Sequence, residues 1–336
     1  MNVLIGLLVA AIGSIITTGI YVVIVWRLDR FEKEPIGMLA LAFAWGMLPA
    51  VIVSVIVETL LPTSAAVGDL LLEAGGAPVV EESAKALALL AFLVFSYREL
   101  DNVLDGIVYG AMIGFGFAFT ENILYVVSGV AESGLAVGIA ILLLRTVIFG
   151  LNHALFTGIT GAAVGAARLK RETVVRFALV LGGLLLAVTF HAVHNVGTAL
   201  AESTALASLG VSFLADWGGV LGILVVVVAA LRREQEWMAN ELVEEVAIGT
   251  LTAEHYTALT SRGGRQRLLA RTLRRDGWTA YRRLNRLYGL CAELAIKKHQ
   301  LRLMGDEHGN LREIERLRAT IRATEAVGAT EAAETS

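Results

Sequence analysis

Seven long apolar runs, separated by short polar gaps, occupy the first 231 residues and constrain the fold more than any other feature of the sequence. A helix needs ~20 apolar residues to cross the ~30 Å hydrocarbon core of a bilayer, so runs of this length predict membrane-spanning helices. A hydrophobic share of 56% and a charged share of 18% exclude an ordinary soluble globular protein. We therefore predict an all-α, polytopic transmembrane helical bundle of about seven spans. The predicted spans are residues 2–26, 36–61, 78–95, 103–129, 135–167, 176–200 and 205–231, and the fifth is long enough to be tilted or kinked near Gly150.

Lysine and arginine residues occur in alternate gaps between these runs, and the intervening gaps contain none. They are Arg27, Arg30 and Lys33 in the first gap, Arg98 in the third, Arg168, Lys170 and Arg171 in the fifth, and Arg232 and Arg233 after the last run. Because basic loops stay in the cytosol, this alternation predicts an N terminus outside and a C terminus in the cytosol. We interpret the first run as a retained anchor, since no basic residue precedes it.

The chain is predicted to have a membrane domain at residues 1–231, a cytosolic helical tail at 232–326 and a disordered C terminus at 327–336. The tail helices are predicted at residues 233–248, 253–275, 278–303 and 310–323. Twelve basic residues against two acidic ones lie between residues 262 and 302, which fits a solvated face, an anionic lipid surface or a cytosolic partner. No nucleic acid partner is predicted. The single cysteine, Cys291, excludes a disulfide framework and a cysteine-based zinc site.

Charged side chains inside the apolar runs need a partner or a function, because each costs ~2.5–3.5 kcal/mol at the bilayer centre. They are Glu58, Glu81, Glu82, Lys85, Asp105, Glu121, Arg145 and Asp216, accompanied by His153, His191 and His194. The predicted topology places groups from the third to the sixth run in the outer half of the membrane. We therefore expect these groups to converge around one hydrated spot that opens to the exterior.

The spacing of these residues is compatible with a structural role as well as with a catalytic one. Glu81 and Lys85 are spaced i,i+4, which predicts an ion pair on one helix face, although acids also suit a helix N-terminus. Glu121 has no cation near it in sequence and could be a catalytic or a hydrogen-bonded structural acid. His191 and Asn195 share a helix face, whereas His194 points elsewhere.

Two imidazoles and a carboxylate can hold a tetrahedral metal ion that activates water, and a further carboxylate can act as general base. The motifs of soluble enzymes that would compete with this interpretation are missing from the sequence. It contains no H-E-x-x-H, P-loop, dinucleotide fingerprint or G-x-S-x-G. The residues alone therefore allow metal-assisted chemistry inside the membrane as well as a structural role.

Four short segments together resemble the PrsW family of bacterial intramembrane proteases, which is related to the CAAX prenyl endopeptidases and Abi-type proteins. The segments are EESAK at residues 81–85, FAFTEN at 117–122, NHALFTG at 152–158 and HAVHN at 191–195. The resemblance covers about residues 27–200. It implies hydrolysis of a peptide bond in a membrane-anchored protein near the outer half of the bilayer. Family members resemble the protease that makes the site-1 cut in an anti-sigma factor or a similar single-span regulator.

The resemblance also implies roles for individual residues. Glu81, Glu82, Lys85, Asn122 and Asn195 are the expected catalytic set, and His153, His191 and Glu121 are the expected ligands of a divalent metal, Zn²⁺ being the ion expected. Lys85 would partly neutralise the acidic pair, and Asn195 or Asn122 would donate to the oxyanion. The alternatives are an ion- or solute-coupled transporter, a CAAX-type endopeptidase and a non-enzymatic scaffold. The CAAX branch has an arginine after its paired glutamates and a histidine at the position of Glu121, so the PrsW branch fits better.

Overall fold

The computed structural model describes residues 2–28, 33–60, 75–95, 100–306 and 309–334. These residues form helices joined by short turns, and no strand occurs among them. The predicted all-α fold is therefore confirmed.

Eight helices form the membrane part and its extension, and four more follow in the tail. The first eight are α1 (Asn2–Leu28), α2 (Ile36–Leu60), α3 (Ala77–Phe95), α4 (Val103–Ser133), α5 (Leu135–Leu143), α6 (Asn152–Arg168), α7 (Thr173–Ala199) and α8 (Ala207–Ala247). The tail helices are α9 (Ala253–Thr260), α10 (Gly264–Arg275), α11 (Gly277–Met304) and α12 (Asn310–Glu334). A π-helical turn, Gly46–Ala50, lies inside α2, and another, Leu144–Ile148, follows α5.

Six helical segments in the described chain are long and apolar enough to cross a membrane, which makes this a multi-pass membrane protein. They are Val3–Leu28, Ile36–Leu60, Val103–Ser133, Leu135–Arg168, Thr173–Ala199 and Ala207–Ala247. The predicted third span corresponds to α3, a helix of 19 residues that carries two glutamates and a lysine. Those three charges separate α3 from the other six, so the count of seven spans and their orientation stay predictions.

The fifth predicted span is kinked at Gly150. Helix α5 passes into the π turn, the chain leaves helical geometry at Phe149, and α6 begins at Asn152. A side chain at Gly150 would overlap the carbonyl oxygen of Thr146 and the ring of Tyr21. The kink therefore depends on a residue without a Cβ.

Helix α4 is the centre of the membrane part, because 78% of its most apolar window is buried against 6–28% in the other five spans. Its contact with α6 is close enough to exclude side chains on the facing positions. A Cβ at Gly110 would overlap the Thr157 carbonyl oxygen, and a Cβ at Gly114 would overlap that of His153. These glycines let α6 approach α4 backbone to backbone, as small residues do between membrane helices, and thereby set the position of His153.

The chain divides into two compact units at Val227 and Val228, inside α8. The second unit has its own apolar core, which includes Met238, Leu242, Tyr288, Cys291 and Leu317. The predicted helix 253–275 is two helices, because the chain turns at Gly263, which has a φ of 71°.

Helix α12 continues to Glu334 in the described chain. The residues after Val327 are mainly alanine and glutamate, which have high intrinsic helix propensity. The disorder predicted for residues 327–336 stays a prediction.

Candidate active site

Three charged side chains of α3 form a buried ion cluster near the start of that helix. Lys85 Nζ lies 3.1 Å from Glu81 Oε2 and 2.8 Å from Glu82 Oε1. The pair expected between Glu81 and Lys85 is therefore present, and Glu82 joins it at i,i+3. The exposed fractions of Glu81, Glu82 and Lys85 are 8%, 1% and 0%, so the cluster faces the inside of the bundle rather than lipid.

His153, the second residue of α6, is engaged on both ring nitrogens. Its Nδ1 lies 3.1 Å from Lys85 Nζ, and its Nε2 lies 2.6 Å from Glu121 Oε2. An ammonium group can only donate, so Nδ1 accepts and the ring proton is on Nε2, which donates to Glu121. The carboxylate of Glu121 thus fixes the tautomer and the orientation of the His153 ring.

His191 approaches the same acidic pair from α7. Its Nδ1 lies 3.0 Å from Glu82 Oε1, and its Nε2 lies 3.8 Å from Glu81 Oε2. The ring stacks on Phe156, with 4.9 Å between centroids and 18° between planes. Thr157, one residue further along α6, donates a hydrogen bond of 3.2 Å to Glu82 Oε2. Glu82 is therefore held by contacts from three helices.

Glu121 has a cation partner that the sequence did not reveal. Arg145, in the π turn after α5, places Nη2 2.5 Å from Glu121 Oε2, and its Nε donates to Asn122 Oδ1 at 2.8 Å. Arg145 is 24 residues away in sequence and on another element, so no local pattern could indicate the pair. Glu121 therefore lies on the Nε2 side of the His153 ring, which it orients, whereas Lys85 and the acidic pair lie on the Nδ1 side. Asn122 contacts Arg145, and Asn195 lies half-buried on α7 one turn beyond His191.

Four side chains bring possible metal ligands together, and we call them the donor group: Glu81, Glu82, His153 and His191. One ligand atom from each lies within 4.8 Å of all the others. Two imidazoles and two carboxylates are the nitrogen and oxygen donors that Zn²⁺ binds in hydrolases, so the residues fit such an ion. Lys85 Nζ lies at hydrogen-bond distance from three of these side chains and would compete with an ion for them. Glu121, which the resemblance implies as a ligand, lies outside this group and contacts His153 instead.

Glu58 is related to the site in a way that the sequence did not indicate. It lies on α2, its Oε1 is buried, and no described residue forms a hydrogen bond with that atom. The groups that act on it electrostatically are Glu81, Glu121, Lys85 and His191. Its charge inside an apolar run was the available signal, but its distance in sequence from the four motifs hid the connection.

The fold and the site together define a multi-pass α-helical membrane protein whose bundle encloses a group of carboxylates and imidazoles. The sequence comparison agrees with this class and makes it specific. Residues 34–231, more than half of the chain, match the PrsW family intramembrane metalloprotease, and the chain belongs to that family. The resemblance inferred from the four motifs is thus confirmed.

Curated relatives named Protease PrsW match part of the chain. The protein of Geobacillus kaustophilus (strain HTA426) is 32% identical over 141 residues, which cover 42% of this chain and 58% of the relative. The protein of Bacillus subtilis (strain 168) is 28% identical over 144 residues, which cover 43% and 62%. The chain thus spans about three fifths of the length of these two relatives. No solved structure matches it.

Proposed function

We propose that this protein is an intramembrane endopeptidase that hydrolyses a peptide bond of a membrane-anchored protein. The observation that carries the proposal is the donor group, in which helices α3, α6 and α7 bring two carboxylates and two imidazoles within 4.8 Å of one another inside a membrane bundle. A group that meets at one place favours hydrolysis over transport, because a coupled transporter needs a path of polar groups across the membrane.

Glu81 is the proposed proton acceptor for the attacking water. Glu82 has both oxygens engaged, Oε1 by Lys85 and His191 and Oε2 by Thr157. The contacts of Glu81 with the described residues involve Oε2, which leaves Oε1 to take a proton from water and return it to the leaving amine. Lys85 balances the charge of the pair and keeps both carboxylates oriented.

His153 and His191, with a carboxylate of the acidic pair, would hold the divalent ion that the family description implies, and we propose Zn²⁺. When bound, such an ion supplies Lewis acidity and lowers the pKa of water at the site. Glu121 contacts Nε2 of His153 and Glu82 contacts Nδ1 of His191, so a carboxylate orients each ring, as carboxylates do for histidine ligands in metal sites.

The oxyanion donor is proposed to be Asn195. It lies one turn from His191 on the same helix face, so its amide can reach the carbonyl that reacts beside that histidine. Asn122 is the second candidate: Arg145 donates to its side-chain oxygen, and an oxyanion would take its hydrogen bond from the NH2 group. Asn195 would stabilise the oxyanion from α7.

The proposed substrate is a single-span membrane protein of the anti-sigma factor type, cut near the outer half of the bilayer. The resemblance of the four motifs supports the substrate class and a bacterial cytoplasmic membrane, and the alternating basic gaps support an N terminus outside and a cut in the outer half. Comparative membrane proteomics of wild type and Glu82→Gln tests the substrate class, since a single-span protein should accumulate uncut in the variant.

Purified variants test the chemistry directly. We expect Glu81→Gln to abolish cleavage of a single-span test substrate while keeping the bound ion, and His153→Ala and Glu82→Gln to lose both. Elemental analysis before and after chelation measures the ion, and thermal unfolding checks the fold. Glu132→Gln, at the exposed end of α4, is the matched control and should retain activity. Cleavage by both Glu81→Gln and Glu82→Gln would contradict the proposal.

The tail is proposed to bind anionic lipid headgroups through a basic face. Helix α10 exposes Arg267, Arg271, Arg274 and Arg275, and Trp278 at the start of α11 is 62% exposed. Arginine with an exposed tryptophan suits a membrane interface, and the tail is covalently joined to a membrane helix. Reconstitution in vesicles with and without anionic lipid should give protection of α10 from hydrogen exchange in the anionic vesicles alone. Equal exchange in both would exclude this partner.

A further inference from the structure

A second polar cluster lies inside the membrane part, apart from the donor group, and the family motifs contain two of its members but not the third. We call it the Asp216 cluster: Asn152 of α6, His194 of α7 and Asp216 of α8. Asp216 Oδ2 lies 2.8 Å from His194 Nδ1 and accepts a hydrogen bond of 2.9 Å from Asn152 Nδ2. Asp216 is 0% exposed, and its other oxygen has no partner among the described residues. A buried carboxylate in a membrane helix is costly, which points to a function.

The partners of Asp216 are the close sequence neighbours of both histidines of the donor group. Asn152 directly precedes His153, and His194 follows His191 by three residues on the same helix. Asp216 therefore joins α6 and α7 at the level where each helix presents its site histidine. The ring of Phe156 lies between the donor group and the Asp216 cluster. It stacks on His191, and its centroid lies 6.4 Å from that of His194.

Helix α8 is fastened to α7 by a polar stripe that ends at Asp216. Ser208 Oγ donates to the Gly197 carbonyl oxygen at 2.8 Å, and Ser212 Oγ donates to that of Val193 at 3.1 Å. Ser208, Ser212 and Asp216 follow one another at intervals of four residues and so share one face of α8. The two serines contact the backbone of α7, whereas Asp216 reaches past it to α6. The serines are sufficient to pack α8 on α7, so the contact of Asp216 with α6 points to a separate role.

We propose that Asp216 is a positioning residue, which fixes His153 and His191 relative to each other through Asn152 and His194. The proposal rests on the proposed function and extends its site to the last membrane helix. Asp216 touches neither the substrate nor the donor group, so it acts on the reaction through the geometry of the two histidines. Groups that contact a metal ligand directly typically contribute about tenfold to a hundredfold in metal affinity or activity, and we expect the lower end for Asp216, which acts through neighbours of the two histidines.

The test compares Asp216→Asn with the exchange Asn152→Asp/Asp216→Asn and with the control Ser208→Ala. We expect Asp216→Asn to lower kcat about tenfold with KM changed less than threefold, and to speed hydrogen exchange at the start of α6. The exchange variant keeps one carboxylate and one amide in the cluster and should recover most of kcat. Ser208→Ala removes a contact between the same two helices and should stay within twofold of wild type.

Three results would overturn the inference: an unchanged kcat in Asp216→Asn, an equal loss in Ser208→Ala, or no recovery in the exchange variant when its thermal midpoint matches wild type. If Asp216→Asn does not fold, the exchange variant carries the test, because it restores the buried pair. Failure of the proposed function is distinguishable, since wild type would then cleave no substrate. Hydrogen exchange at α6 would still report whether Asp216 fixes the helix.

Discussion

Lys85 shows how a single buried cation holds the acidic pair in the membrane. Its Nζ contacts Glu81, Glu82 and His153 Nδ1 and lies 3.7 Å from the centroid of the Phe117 ring. A buried ion pair contributes little net stability by itself, but removal of one partner leaves the other charge uncompensated. Lys85 is thus required by the carboxylates rather than by the fold in general.

We predict that Lys85→Met strongly destabilises the protein, by about 3–5 kcal/mol, because two buried carboxylates lose their cation. Thermal unfolding of the purified protein in detergent measures the effect. Lys170→Met, at an exposed position between α6 and α7, is the matched control and should change the midpoint little. A Lys85→Met protein as stable as the control would show that the pair is not ionised as described.

A titratable contact in the tail gives a pH-dependent prediction. Burial alone would raise the pKa of Glu325, but the hydrogen bond and charge of His255, 2.8 Å away, and hydrogen bonds from Thr252 outweigh it and lower the pKa. A lowered pKa stabilises the fold above the unfolded value of ~4.3, and this stabilisation is lost as the pH falls through the folded value.

We therefore expect Glu325→Gln to lower the thermal midpoint at pH 7, and this deficit to shrink as the pH falls below ~4.3 and through the lowered pKa of the wild-type carboxylate. Thermal unfolding of the full chain at pH 7 and at the lowest pH that keeps the chain folded measures the difference. Glu254→Gln, an exposed acid on α9, serves as the control. A deficit of equal size at both pH values would contradict the assignment.

At the scale of elements, the contact between α4 and α6 decides where His153 lies. Gly106, Gly110 and Gly114 repeat every four residues along α4 and face backbone of α6. Glycines at this spacing suit close helix packing, but the sequence does not identify the partner helix. The partner matters, because the carbonyl oxygen that Gly114 faces belongs to His153 itself.

We predict that Gly114→Ala separates α4 from α6 and reduces cleavage at least tenfold, because the added methyl group would overlap the His153 backbone. Gly158→Ala is the matched control on α6, since its Cβ would meet one atom at ordinary contact distance, 3.9 Å. Cleavage of the test substrate and the thermal midpoint report the two effects. Equal behaviour of the two variants would argue against close packing at Gly114.

At the scale of the whole molecule, the chain combines a membrane unit with a tail that has a core of its own. The tail core contains the single cysteine, Cys291, which is 0% exposed. Burial raises the pKa of this thiol, and nearby Glu325 adds to the effect. A protonated, buried thiol reacts slowly, so Cys291 is a built-in reporter of tail folding.

We expect Cys291 to resist maleimide labelling in the native protein and to react when the tail unfolds. Gln266→Cys places a second thiol at an exposed position on α10 and should react at once. Mass spectrometry of the labelled protein across a urea series would give the unfolding transition of the tail. Rapid labelling of Cys291 without denaturant would contradict the buried core.

The sequence alone determined the helical class, the multi-pass architecture and the family, because membrane spans and motifs are local patterns of residue type. It also selected Glu81, Glu82, Lys85, His153 and His191 as residues that needed a partner inside a membrane. Tertiary structure alone decided that Arg145 pairs with Glu121, that Glu82 contacts His191, and that Asp216 joins α6 to α7. Those contacts join residues 22 to 109 positions apart on different helices, and their geometry depends on how closely the helices pack.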